Sequence, residues 1–201
     1  QILKIDYFKI YDSLNVKKYF FLYNTKNYNL EIKKNYEKIL KSIKSKKNLE
    51  KLKIDNILIG DLIYDSFLKK YRKPTIRLDS QEFKFFLYQS VKNFVIWKNY
   101  LDDNKFKAIV VSHTVYDLAI PLRICVKKNI DVFQLNDNSI YKMSKTNLFA
   151  YQTAFESYPK IFNSFSKIKK KKALNLSKKR TALRFDGKVG IDMTYSKISA
   201  Y

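Results

Sequence analysis

The chain has 201 residues, enough for one sizeable domain or two small ones. It carries 41 Lys and Arg against 18 Asp and Glu, a formal net charge of +23, with a hydrophobic fraction of 46%. This is too apolar for a disordered chain, it holds no apolar run near the ~18 residues of a spanning helix, and one Cys with one His leaves neither an internal disulfide nor a zinc site.

Residues 1–16 have no clean period, and a short helix is expected near Tyr7 to Leu14. Lys18 to Tyr23 (KYFFLY) reads as an aromatic strand. Polar residues 24–29 read as a loop. Leu30, Ile32, Tyr36, Ile39, Leu40 and Ile43 then recur at helical spacing, giving an amphipathic helix to about Ser45. A short connection, Asn48 to Ile54, leads to an apolar run, Asn56 to Ile59, that ends at Gly60. The next stretch, GDLIYDSFLKKY, is helical, with Leu62, Ile63, Phe67 and Leu68 on one face. Asp61 suits its first turn, and Asp65 projects from the same side four residues on. The plain reading of the two acids is capping and a pair with Lys69; the functional reading is a site at a strand-to-helix turn.

Lys73-Pro74 breaks the pattern, and Thr75 to Asp79 is a link or short strand. Phe83, Phe86, Leu87, Ser90, Phe94 and Trp97 share one face of the longest helix, about Ser80 to Asp102. Ile109 to Val111 is a short buried strand ending in Ser112 and His113, the lone histidine. A helix is expected over Thr114 to Lys128, with Val115, Leu118, Leu122, Val126 and Cys125 inward and Pro121 imposing a kink or a late start. Cys125 reads as a small core residue, and a single thiol fits a reducing compartment. Ile130 to Leu135 is a second strand, so this spacing implies a βαβ unit with parallel strands. Ser139 to Lys142 is a further extended piece. Leu148 to Phe155 and Tyr158 to Ser166 are partly helical, interrupted at Pro159. Lys169 to Lys172 and Lys178 to Arg180 form two basic clusters on an exposed helix or loop. Gly187 and Gly190 stand in RFDGKVG, which lacks the spacing of a phosphate loop.

Two sources explain the charge. One is an anionic partner; the other is the Lys, Asn, Ile, Tyr and Phe bias of AT-rich coding, with only three Gly and three Pro. Lysines spread along every predicted helix favour the second, and a nucleic-acid partner is not expected. No secretory segment is visible, which with the thiol count implies a cytoplasmic protein. The chain begins at Gln1 and is expected to be a piece of a longer protein.

The strings IGDLIYDSFLKKY, IVVSHTVYDLAIPLRICVKKNIDVF and RFDGKVG resemble bacterial surface-polysaccharide (capsule and related) biosynthesis glycosyltransferases of GT-B type. The likeness covers roughly residues 54–135, with weaker support to 190. It departs from the family at Ala119-Ile120-Pro121, where a glycine is usual. The resemblance implies an α/β fold: a Rossmann-like three-layer α/β/α domain with a mainly parallel sheet over 1–160. Residues 161–201 would be a basic segment leading toward a second, donor-binding domain absent from this chain. The implied function is the acceptor-binding half of a glycosyltransferase that takes a sugar from a nucleotide-sugar donor to a glycan or lipid-linked acceptor, without a cofactor.

Inverting transfer needs a general base at the acceptor hydroxyl. His113 is the base candidate, with Asp61 or Asp65 orienting it or replacing it. Gly60 would permit close approach of the ligand. Ser112, Tyr64 and Tyr116 would hydrogen-bond or stack on sugars, and Arg77 and Arg123 would meet a phosphate. The alternatives are a non-catalytic assembly protein of the same pathways, held peripherally to anionic membrane by the 169–180 segment, and a basic nucleic-acid-binding protein.

Overall fold

The structure is a computed structural model that describes residues 11–22, 28–136, 139–149, 156–186 and 188. The chain divides into two units, 1–151 and 152–201. The expectations for residues 1–10, 23–27, 150–155, Gly187 and 189–201 lie outside the described residues.

Helix α1 (Asn29–Ser42) buries Ile32 and Ile39. It stops short of Ser45 because that serine caps the next helix, α2 (Lys46–Glu50), accepting from the Asn48 N–H at 3.1 Å. A two-strand hairpin follows, β1 (Lys53–Ile54) against β2 (Ile57–Leu58), antiparallel. Asp55 and Asn56 both take positive φ, 51° and 62°, as a type I′ turn requires. The apolar run before Gly60 is therefore one arm of this hairpin and is not a strand of the main sheet. Helix α3 (Gly60–Tyr71) buries Leu62, Ile63 and Phe67 and ends at Arg72 in the left-handed conformation.

Ser80 caps the longest helix, α4 (Gln81–Asp103), accepting from the Phe83 N–H at 3.2 Å. Phe83, Leu87, Val91 and Phe94 on this helix are fully buried, each large side chain contributing about 1.5–3 kcal/mol as an upper bound. The KYFFLY stretch is not a strand in its described part, residues 18–22. Its aromatic character is used otherwise: the Phe20 ring stacks on Tyr100 at 3.7 Å and meets Trp97 edge-on at 5.3 Å. Residues 75–79 form a loop anchored by buried Ile76.

The expected strand–helix–strand unit is present, but its first strand is not a buried one: Val111 is buried and Val110 is 62% exposed. Strand β3 (Ala108–Val111) leads through a loop and a 3₁₀ turn (Asp117–Ala119) into α5 (Ile120–Lys127) and then β4 (Asp131–Asn136). Strands β3 and β4 pair in parallel, Ala108 beside Asp131 and Val111 beside Gln134. Strand β5 (Ser139–Lys142) adds antiparallel to β4. The protein is thus mixed α/β with a three-stranded mixed sheet, β3-β4-β5, among the described residues. Pro121 gives the late helix start, in the first turn of α5 where its missing N–H costs nothing. The residues it displaces from the helix include Leu118, which is exposed and not inward as its spacing predicts. Cys125 is fully buried, and that burial pushes its thiol up to about 11, so it is a core residue.

In the second unit Pro159 opens a helix instead of interrupting one, α6 (Tyr158–Ser164). Helix α7 (Lys167–Phe185) carries both basic clusters and contains no acidic residue; none of its residues is buried. No described helix is long and apolar enough to cross a membrane.

Candidate functional site

The loop between β3 and α5 lies against α3. The Asp117 N–H donates to Ser66 Oγ at 2.7 Å, and the Lys69 ammonium sits 4.1 Å from the centre of the Tyr116 ring. Asp61, Asp65 and Lys69 recur every four residues and so share one side of α3. One end of this stripe meets α5 and the other meets the loop. Tyr116 holds φ 60° and ψ −171°, a region that is essentially glycine's and costs about 1–3 kcal/mol for another residue. Contacts on both sides hold it there.

Asp61 and Arg123 are spent on one another. Arg123 Nη2 donates to Asp61 Oδ2 at 2.7 Å and Nη1 to Oδ1 at 3.2 Å, while Nη1 also donates to the Leu58 carbonyl at 2.9 Å. Arg123 is 3% exposed, and the Phe149 ring covers its guanidinium at 5.1 Å. Its Nη groups are therefore committed to Asp61 and Leu58, and Asp61 is engaged by a guanidinium and not by His113 among the described residues. One fact accounts for both commitments: a buried guanidinium requires a carboxylate, and Asp61 is the one supplied. The pair clamps α5 to α3 and to the hairpin.

His113 is exposed. Its Nδ1 lies 3.1 Å from Ser112 Oγ, and no hydrogen bond or ion pair among the described residues joins it to Asp61 or Asp65. Ser112 is exposed too, and its carbonyl accepts a long bond, 3.4 Å, from Gln134 Nε2. Tyr64 is half-buried against the core. Arg77 stands apart on the 75–79 loop with its guanidinium 4.0 Å from Asp79. Gly60 serves packing, not a ligand. A Cβ there would lie 1.7 Å from the Leu49 carbonyl oxygen and 2.7 Å from the Leu52 nitrogen.

Asp65 forms no ion pair with Lys69 among the described residues; Lys69 is over Tyr116 instead. Partial burial, then the charges of Asp61 and Glu50, raise the Asp65 carboxyl above the usual carboxylate range. A raised value means that the fold disfavours the ionised form. The loss of stability is complete above the raised value and vanishes as pH falls below the unfolded one. Asp65→Asn is therefore expected to raise the melting temperature at neutral pH, by an amount that shrinks on acidification. A variant less stable than the parent at pH 7 in thermal melts would show that the ionised carboxylate is instead favourably held.

A groove of about 370 Å³ borders this loop, and spacing alone did not reveal it. Phe86 and Ile96 of α4 line its apolar part; Lys70, Gln89, Asn93 and Asp117 supply polar groups. Asn93 Oδ1 is buried without a hydrogen-bond partner among the described residues. The signal available in the sequence was Gln89-x-x-x-Asn93, two amides one turn apart on the longest helix. Among the described residues no group of His, Cys, Asp or Glu could hold a metal ion.

No family model matches the chain. Neither a curated protein nor a solved structure is significantly similar to it. The functional reading therefore rests on the residues and their geometry.

Proposed function

We propose that the chain is the acceptor-binding half of a glycosyltransferase in bacterial surface-polysaccharide biosynthesis, a Rossmann-like domain working in the cytoplasm. The observation that carries this reading is the groove with its unpartnered Asn93 oxygen. Sugars are bound by amides and carboxylates that exchange hydrogen bonds with ring hydroxyls, over an apolar or aromatic floor. Asn93, Gln89, Asp117 and Phe86 supply that set. A sugar hydroxyl donating to Asn93 Oδ1 would satisfy an acceptor that otherwise costs stability.

His113 on the β3–α5 loop and Asp65 on α3, next to the Ser66 that this loop contacts, are the candidate bases for the acceptor hydroxyl. In this reading the base accepts the hydroxyl proton as the oxygen bonds to the anomeric carbon and the nucleoside diphosphate leaves. Ser112, Tyr64 and Tyr116 would contact the remaining sugar hydroxyls. The Asp61–Arg123 pair would hold the framework and take no part in the chemistry. The backbone strain at Tyr116 supports a functional loop, since such strain collects at sites. Nucleotide-sugar binding would require a further domain.

The test is a microarray of bacterial surface oligosaccharides, followed by calorimetry on any ligand found. The parent chain is expected to bind, and Asn93→Ala with Asp117→Ala to weaken binding by about tenfold or more. His113→Ala is expected to leave affinity nearly unchanged, since its role is in the proton transfer. Absence of any glycan ligand, or affinity indifferent to Asn93 and Asp117, would overturn the proposal.

A further inference from the structure

A second cavity, also about 370 Å³, lies where the hairpin, α5 and the 145–148 turn meet. Among the described residues its lining includes Lys53, Lys127, Lys145 and Arg123 and no acidic residue. Lys53, Lys127 and Lys145 form no ion pair with any described carboxylate. Elsewhere lysines do find acids, as Lys98 does with Asp102 and Lys142 with Asp131. Arg123 adds a different feature. It is 97% buried by its 3% exposure, its Nη groups are committed to Asp61 and Leu58, and its Nε is buried without a partner among the described residues. A buried guanidinium nitrogen left without an acceptor is costly and uncommon. Ile57, Val126 and Leu148 form an apolar wall beside these cations.

We propose that this cavity binds an organic phosphate, with the phosphoryl oxygens among Lys53, Lys127 and Lys145 and within reach of Arg123 Nε. The body of the ligand lies on the Ile57, Val126 and Leu148 wall. Clustered cations in a recess focus the field on an anion, and phosphate oxygens accept several charge-assisted hydrogen bonds at once. The apolar wall selects a phosphate carried on carbon over inorganic phosphate. This site is independent of the glycan groove and stands whether or not the acceptor reading does, since neither Asn93 nor Asp117 lines it.

Calorimetric titration of the full chain with phenyl phosphate, inorganic phosphate and phenol tests this. Phenyl phosphate is expected to bind most tightly, and added salt to weaken it. Lys127→Ala with Lys145→Ala is expected to reduce that affinity by about tenfold or more. Both lysines are exposed, so the fold should persist, which circular dichroism checks. Lys38→Ala with Lys41→Ala on α1 removes the same charge elsewhere and is expected to change affinity by less than about twofold. Equal loss in both double variants would reduce the effect to net charge and overturn the proposal. Phenol binding as tightly as phenyl phosphate would overturn it too.

Discussion

Asp61→Ala should destabilise the fold by about 3–5 kcal/mol, because it strands a buried guanidinium without its carboxylate. The asymmetry between the two partners decides the magnitude. Arg123 has a side-chain exposure of 2% and Asp61 of 27%. Removing the acid leaves a charge that water cannot reach. Removing the base, as in Arg123→Met, leaves a carboxylate that water can partly solvate and a Leu58 carbonyl with one bond fewer, so about 1–3 kcal/mol is expected. The double variant Asp61→Ala/Arg123→Met should be more stable than Asp61→Ala alone, since replacing both members of a buried pair is often nearly neutral. Chemical denaturation of the three variants closes the cycle. A double variant as unstable as the sum of the singles would show that the pair is not coupled. If Asp61 were instead a catalytic base, its removal would spare stability, and that outcome would restore the role first read from its position.

Gly60→Ala is expected to cost more than about 3 kcal/mol, beyond the usual range for one added methyl. The new Cβ would stand 1.7 Å from the Leu49 carbonyl oxygen, and the other close atoms are the Leu52 nitrogen and Cβ. None of these is the far end of a flexible side chain. The Gly60 and Ile59 N–H groups both donate to the Leu52 carbonyl at 3.1 Å, so the backbone cannot swing away without breaking these bonds. The hairpin or the start of α3 would have to move. Urea titration within about 1 kcal/mol of the parent would show that the contact relaxes cheaply.

Much of the fold was legible where one residue's neighbours along the chain decide its state. Ser80 before a run of apolar residues at helical spacing is a cap and a buried face together, and α4 follows to within a residue at each end. Ile109–Val111, Pro121 and Ile130–Leu135 likewise carried the parallel unit with its late helix. Local pattern also had limits. KYFFLY has the composition of a strand, but Phe20 is used as a ring on Tyr100 and Trp97 of α4, and no alternation distinguishes these uses. Asp55-Asn56 marked a hairpin only through two positive φ angles that neither residue requires.

The candidate site shows the same division. The sequence by itself determined that His113 and Ser112 end a strand, that Asp61 and Asp65 share a side of one helix, and that the charge is strongly positive. Tertiary structure alone decided what those groups face. Arg123 lies 62 residues from Asp61, yet its burial binds that carboxylate and commits its Nη groups, leaving only Nε facing the second cavity. Gly60 was marked as a place of close approach; the approaching atoms belong to Leu49 and Leu52. Asn93 and Asp117 acquired a shared groove from helix packing and a strained turn, neither of which has a local signature. Caps, turns and periodicity are written within a few residues, whereas the partner of a buried charge is fixed only when distant elements meet and water is excluded between them.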